Sequence, residues 1–113
     1  QALAALSEVL QRWGCEVARA ADEAGARAAL RAAPAQLWLF DYHLDRDDTG
    51  VALAQRLEPE FGAVPCLLLS ADGGAQVRAA VHAAGRSLLA KPVKPLALKS
   101  VLDRLLAAAA AAR

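Results

Sequence analysis

The sequence predicts an α/β fold in which a doubly wound parallel sheet is covered by helices on both faces. Helical and strand-like segments alternate along the chain in the order α-β-α-β-α-β-α-β-α, and parallel strands need helical crossovers of this kind. Residues 37–40 form an apolar run without polar alternation, as expected of a strand that is buried on both faces. Later strand-like segments end in polar side chains that can take part in chemistry, as is usual where strand carboxyl ends meet at one edge of a sheet.

The length and charge of the chain indicate one domain, residues 1–113, without a surface suited to nucleic acid. A chain of 113 residues with 57% hydrophobic residues can fill a single core. Its 13 basic residues are scattered among 12 acidic ones, so no basic patch is expected. The longest strongly apolar stretch, residues 105–112, is far shorter than the roughly 20 residues that span a bilayer. We therefore expect a cytoplasmic domain without direct membrane contact.

The elements of the first third are predicted by residue spacing and by end signals. Three leucines and Trp13 recur at helical spacing, and Gly14 ends that helix, which begins at the first residue. Residues 15–20 then predict a short strand. Asp22 can cap a second helix, and Pro34 closes that helix before the apolar run.

The remaining elements follow a polar loop over residues 42–50. They are a helix from residue 51 to near Pro59, a strand over 66–70, a helix over 77–84 capped by Gly85, a strand over 88–90, and a last helix that begins at Pro95 and continues through the alanine run.

Three of the predicted strands deliver reactive side chains to one edge of the sheet. Asp41, Ser70 and Lys91 each stand at the end of a strand. The carboxylate can act as a nucleophile, the hydroxyl can donate to a phosphoryl oxygen, and the ammonium can neutralise charge during transfer. Each residue alone is more often a cap, a turn former or a solvated strand end. Their joint placement favours a site for a phosphoryl group.

The segments that contain these residues resemble the receiver domains of response regulators. They read LWLFD up to Asp41, LLLSA around Ser70, and LLAKP around Lys91 and Pro92. The resemblance covers the whole chain and implies a flavodoxin-like sheet with strand order 2-1-3-4-5. The segments DYHLDRDDTG and KPVKPLAL are most similar to receivers of hybrid sensor histidine kinases.

The resemblance implies a phosphoacceptor of a two-component phosphorelay. Asp41 would accept a phosphoryl group from a phosphohistidine on a histidine kinase or a histidine phosphotransfer domain, and the domain would then change conformation. Ser70 and Lys91 would complete the site. Such a domain catalyses its own phosphorylation and dephosphorylation but is not a conventional enzyme. Mg²⁺ would be held by Asp41, by the backbone carbonyl of His43, and by an acidic pair upstream of Gln1.

Two structural expectations accompany the resemblance. The peptide bond between Lys91 and Pro92 is expected to be cis. The chain opens on a helix, whereas every later helix follows a strand. We therefore expect a first strand upstream of Gln1, which would lie between the strands over 15–20 and 37–40. Two alternatives are that another chain contributes this strand by swapping, or that the strands over 15–20 and 37–40 pair directly.

Two other functions remain open from the sequence. One is a receiver-like docking module that is never phosphorylated. The other is a flavodoxin-like cofactor binder, in which Asp41 and Lys91 would have no evident role. A homodimer is also compatible with the sequence.

Several other residues favour structural roles. The acidic residues of the polar loop do not fit a calcium loop, because Arg46 stands where that loop requires glycine. His43 and His82 lack partners at metal-ligand spacing, so we assign them no catalytic role. Cys15 and Cys66 are expected to be reduced core thiols.

Overall fold

The computed structural model describes residues 3–112, and the chain divides into two compact units, Gln1–Pro34 and Ala35–Arg113. The first unit contains helix α1 (Leu3–Arg12) and helix α2 (Glu23–Ala32). The predicted start of α1 at the first residue lies outside the described residues. Gly14 ends α1 with φ +85°, a conformation that suits glycine. Asp22 caps α2, as predicted, by accepting a hydrogen bond of 2.8 Å from the Gly25 N–H.

The prediction of a strand over residues 15–20 is wrong for the described structure. The segment has no secondary structure, and most of its residues are exposed. A strand exists through backbone pairing with a neighbour, and the described part of the first unit, to which this segment belongs, contains no strand. Cys15 is consequently exposed, so its prediction as a core thiol is also wrong. Cys66 is buried, and both thiols are free, as predicted.

The second unit is a parallel sheet with intervening helices. Its elements are strand β1 (Trp38–Asp41), helix α3 (Gly50–Phe61), strand β2 (Cys66–Ser70), helix α4 (Ala75–Ala83), strand β3 (Ser87–Ala90) and helix α5 (Pro95–Ala111). The sheet has three strands in the order β1-β2-β3, all parallel. This confirms the predicted α/β class and parallel sheet. The full order of five strands, and a strand upstream of Gln1, stay predictions.

The core of this unit is built around β2, in which every residue is buried. Its apolar run explains this, because a central parallel strand is covered on both faces. Apolar positions of the helices complete the core, and they are Leu53, Ala54, Leu57, Val77, Val81, Leu98 and Leu102. A search of the described helices for a membrane-spanning segment found none with the required length and hydropathy.

Helix α3 passes through Pro59, although the sequence predicts an end near that residue. Proline removes a single N–H and displaces the carbonyl four residues earlier, which here belongs to Gln55. Gln55 is exposed, so water can solvate that carbonyl. The helix then ends at Gly62, whose N–H donates to the Glu58 carbonyl at 2.8 Å and whose φ is +81°.

A partly buried ion pair joins Arg86, which directly precedes β3, to Glu58 of α3. The Arg86 guanidinium lies 2.8 Å from the Glu58 carboxylate, and its side chain is only 10% exposed. Burial raises the pKa of the neighbouring Cys66 thiol to about 12, while the charge of Arg86 acts in the opposite direction. The thiol is therefore neutral at physiological pH, which suits a structural role at the end of the sheet remote from Asp41.

Candidate phosphoacceptor site

The strand register brings the predicted site residues to the carboxyl edge of the sheet. Asp41 lies opposite Leu69 in the pairing of β1 with β2, and Ser70 lies opposite Ala90 in the pairing of β2 with β3. The hydrogen-bond ladder continues past the last strand residues. The Lys91 N–H donates to the Ser70 carbonyl at 2.9 Å. The backbone at this edge is therefore held by the sheet itself.

Asp41 and Lys91 form an ion pair at this edge. Lys91 Nζ lies 2.8 Å from Asp41 Oδ1, and the two side chains are 23% and 31% exposed. Asp41 Oδ1 itself is buried and receives no hydrogen bond of good geometry from the described residues, so the contact with the ammonium is electrostatic. The carboxylate thus has one oxygen beside a positive charge while the residue keeps access to solvent. This arrangement suits a group that must react with a charged substrate.

Ser70 lies at the same edge, but its side chain hydrogen-bonds to the turn that follows β2. Its side chain is almost fully buried at 2% exposure, and its Oγ accepts a hydrogen bond of 3.0 Å from the Asp72 N–H. The structure therefore joins Asp41 to Lys91 directly and brings Ser70 to their edge. Ser70 makes no ion pair or side-chain hydrogen bond with either residue among the described contacts.

The loop after Asp41 is closed by backbone hydrogen bonds. The Gly50 N–H donates to the Tyr42 carbonyl at 2.8 Å, and the Leu44 N–H donates to the Asp48 carbonyl at 2.9 Å. Arg46 and Asp47 both have left-handed backbone conformations, with φ of 61° and 59°. This compact turn fixes the path of the chain as it leaves the phosphoacceptor candidate.

The acidic residues of this loop do not converge on a metal. The Asp48 carboxylate pairs with the Arg56 guanidinium of α3 at 2.6 Å. The hydrogen bond from Arg56 holds the pKa of Asp48 below its usual value. No group of three side chains suited to a metal occurs in the part of the chain that the structure describes.

Gly50 packs against the backbone of the phosphoacceptor candidate. A Cβ at this position would lie 2.5 Å from Leu68 Cδ1 and 3.1 Å from Phe40 Cβ, and it would overlap the Asp41 carbonyl. Only glycine allows the first turn of α3 to approach β1 so closely. Residue spacing does not predict this contact, because it depends on how α3 packs on the sheet.

A divalent cation of the Mg²⁺ type would find suitable donors here. Asp41 supplies a carboxylate at the open edge, and Mg²⁺ prefers oxygen ligands while keeping several waters. The hydrogen bonds that close the following loop use the carbonyls of Tyr42 and Asp48, and none of those described uses the His43 carbonyl. That carbonyl is thus available as a second oxygen donor. The His43 ring is exposed and packs edge-on against Tyr42, with ring centroids 4.9 Å apart.

Two further features separate what the sequence predicted from what it missed. The peptide bond between Lys91 and Pro92 is cis, as the resemblance implied. The hydrogen bond from Asp72 to Ser70 was missed, although a serine followed two residues later by an aspartate is a common local turn pattern that could have indicated it.

A parallel sheet with an aspartate and a lysine paired at its carboxyl edge defines this chain as a receiver-like α/β domain. The model of the response regulator receiver domain family matches residues 1–103. The chain belongs to the response regulator receiver domain family. This confirms the predicted family and its flavodoxin-like fold.

Solved structures of receivers are similar to this chain. A protein from Chloroflexus aurantiacus described as a response regulator is 30% identical, with a TM-score of 0.81 over 93% of this chain and 88% of that one. The chemotaxis protein CheY4 of Vibrio cholerae is 26% identical, with a TM-score of 0.79 over 90% and 87%. NtrX of Brucella abortus shares the fold at 24% identity and a TM-score of 0.84, and the match covers 94% of this chain but only 24% of the NtrX chain. A search of curated proteins gave no match.

Proposed function

We propose that this receiver domain is the phosphoacceptor of a two-component phosphorelay and that Asp41 carries the phosphoryl group. The observation that supports this most strongly is the 2.8 Å approach of the Lys91 ammonium to the Asp41 carboxylate. A lysine beside a partly exposed carboxylate at the end of a strand is what transfer of a charged group requires.

The proposed reaction moves a phosphoryl group between two side chains. An oxygen of Asp41 forms a bond to phosphorus while the bond from phosphorus to the partner's histidine nitrogen breaks, and that nitrogen keeps the electron pair. Water later attacks the same phosphorus, which releases inorganic phosphate and restores the carboxylate. The domain catalyses both steps on itself and is in that sense not a conventional enzyme.

Charge compensation is the main task of the site. A carboxylate that approaches a phosphoryl dianion to about 4 Å meets roughly 8 kcal/mol of repulsion at an effective dielectric constant of about 20. Each ~1.4 kcal/mol changes the rate tenfold, so this repulsion must be offset. Lys91 contributes a positive charge on the Asp41 side, and Ser70 would donate a hydrogen bond to a phosphoryl oxygen. Bound Mg²⁺, held by Asp41, the His43 carbonyl and an acidic pair upstream of Gln1, would supply the remaining positive charge.

The proposed partner is a histidine kinase or a histidine phosphotransfer domain in the cytoplasm. Similarity of the segments after Asp41 and Lys91 to receivers of hybrid sensor kinases supports a parent protein of that kind. Phosphorylation would then change the conformation of the domain and pass the signal onward.

Intact-mass measurement after incubation with acetyl phosphate and MgCl₂ tests the phosphoacceptor role. The domain is produced with any residues encoded upstream of Gln1. The wild-type domain is expected to gain the mass of one phosphoryl group, and Asp41→Asn is expected to gain none. Asp45→Asn is the matched control, since it removes an exposed carboxylate four residues away, and it should be phosphorylated like the wild type.

Three results would contradict the proposal. Phosphorylation that persists in Asp41→Asn would place the acceptor elsewhere. A wild-type domain that gains no phosphoryl group with Mg²⁺ would favour the docking module instead. Flavin absorbance in the purified protein would favour the cofactor binder.

A further inference from the structure

The hydroxyl of Ser70 is held by a residue that the phosphoacceptor site does not otherwise use. Ser70 Oγ accepts a hydrogen bond of 3.0 Å from the backbone N–H of Asp72, and the serine side chain is 2% exposed. A hydroxyl has one hydrogen to donate and two lone pairs that accept. Because the Asp72 N–H occupies a lone pair, the hydrogen remains available for a phosphoryl oxygen.

The Asp72 backbone is fixed in turn by its own carboxylate. Asp72 Oδ1 accepts a hydrogen bond of 2.9 Å from the Gly74 N–H. The Gly74 residue is the N-cap of α4, and the Arg78 Nε of that helix donates to the Gly73 carbonyl at 2.8 Å. A chain of hydrogen bonds therefore runs from the first turn of α4 to the Ser70 hydroxyl.

We propose that Asp72 is a positioning residue for phosphoryl transfer, which orients the Ser70 hydroxyl toward the phosphoryl group through its backbone N–H. This role rests on the proposed function of Asp41. Asp72 does not touch the phosphoryl group. Its carboxylate holds the turn in which the N–H faces Ser70 Oγ, and the hydrogen bond keeps the serine in one rotamer.

The expected size of the effect follows from the rotamers of Ser70. A serine χ1 angle has three staggered wells, so release of the turn would leave the productive orientation populated about one third of the time. Loss of the Asp72 carboxylate should therefore slow phosphorylation by about threefold. Loss of the Ser70 hydroxyl itself removes a hydrogen bond to a charged group and should slow it by about tenfold or more.

The test compares phosphorylation rates of variants of the domain with acetyl phosphate and MgCl₂. Asp72→Ala should be about threefold slower than the wild type. Asp72→Asn should restore the rate, because its amide oxygen can accept the Gly74 N–H bond in the same way. Asp103→Ala is the matched control, as it removes an exposed carboxylate of α5, and it should react at the wild-type rate.

A double variant separates positioning from a general structural effect. In Ser70→Ala the turn has no hydroxyl to orient, so adding Asp72→Ala should not slow the reaction further. Amide hydrogen exchange gives a second readout, since the amide at position 72 should exchange faster in both Asp72→Ala and Ser70→Ala than in the wild type.

The outcomes distinguish this role from the proposed function. A wild-type domain that gains no phosphoryl group overturns both. If the wild type is phosphorylated normally, three results would overturn the positioning role alone. Asp72→Ala could react as fast as the wild type, or Asp72→Asn could be as slow as Asp72→Ala. The third is that the effects of the Ser70 and Asp72 substitutions multiply in the double variant.

Discussion

Replacement of Gly50 by alanine should destabilise the domain and disturb Asp41, the proposed phosphoacceptor. The new methyl group would lie 2.5 Å from Leu68 Cδ1 and would overlap the Asp41 carbonyl. Overpacking in a core costs about 1 to 3 kcal/mol. We expect about 2 to 3 kcal/mol here, because one obstacle is strand backbone that cannot move without breaking the sheet. That is a large share of the ~5 to 15 kcal/mol that stabilises a typical domain.

Thermal unfolding followed by circular dichroism measures this effect. For a chain of this size, about 1 kcal/mol corresponds to roughly 4 °C, so the Tm of Gly50→Ala should fall by about 8 to 12 °C. Gly73→Ala is the matched control, since its methyl group would meet only Arg78 Nη2 at an ordinary distance of 3.6 Å. The variant should also accept phosphate more slowly, because relief of the overlap moves the Asp41 backbone. A Tm within 2 °C or so of the wild type would show that α3 does not pack on β1 as closely as described.

Three further results are expected. Lys91→Ala should slow phosphorylation of Asp41 by about tenfold to a hundredfold, since it removes an interaction with a charged group. The exposed control Lys99→Ala should react at the wild-type rate. Equal rates for Lys91→Ala and the wild type would contradict the proposed role of Lys91. Because the pKa of Asp48 in the folded state is below its usual value of 3.8, ionised Asp48 stabilises the fold at pH values above 3.8. This contribution is lost as the pH falls through the folded-state pKa. When the free energy of unfolding is measured as a function of pH, the wild type and Asp48→Asn should therefore differ by less than about 1 kcal/mol. This difference should vanish at low pH. At neutral pH a thiol reagent should modify Cys15 rapidly and Cys66 only on unfolding, because burial raises the pKa of Cys66 to about 12; rapid modification of two thiols in the native protein would contradict this.

The parts of the structure that the sequence predicts are those with strong local signals. The apolar run of β2, the cap at Asp22 and the left-handed glycine at Gly85 each depend on residues within one turn or one strand. The edge position of Asp41 and Lys91 also follows, because a parallel sheet collects strand ends at one side. Their 2.8 Å contact does not follow from sequence, since it depends on pairing across two strand interfaces.

The strand that was wrongly predicted, and two features that were not predicted, depend on more than residue composition. Residues 15–20 have the composition of a strand, but a strand also needs a neighbour with which to pair. The passage of α3 through Pro59 depends on the exposure of Gln55, which only the packed helix reveals. The turn that binds Ser70 depends on the placement of Asp72 and Gly74 before α4. In the first two cases the deciding feature appears only in the packed structure, whereas the turn at Ser70 carries a local signal, a serine followed two residues later by an aspartate.

The register of the sheet explains why Asp41 contacts Lys91 and not the nearer Ser70. Asp41 lies opposite Leu69, so Ser70 lies one residue further along β2. Ser70 lies opposite Ala90, so Lys91 lies one residue further still. Side chains alternate between faces along a strand. Two steps therefore return Lys91 to the face of Asp41, whereas the single step to Ser70 does not.

The same register accounts for the use of a long side chain at position 91. Two residue steps and two strand spacings separate the α-carbons of Asp41 and Lys91 by about 12 Å. A lysine side chain, the aspartate side chain and their 2.8 Å contact together cover that distance, whereas a short side chain at position 91 could not. Ser70 lies between the two levels, where its hydroxyl binds the turn before α4 instead of the carboxylate. A phosphoryl group added to Asp41 would extend beyond the strand ends, toward the level of Ser70. The charge of Lys91 would then act from the face of Asp41, and the Ser70 hydroxyl would act from the end of β2.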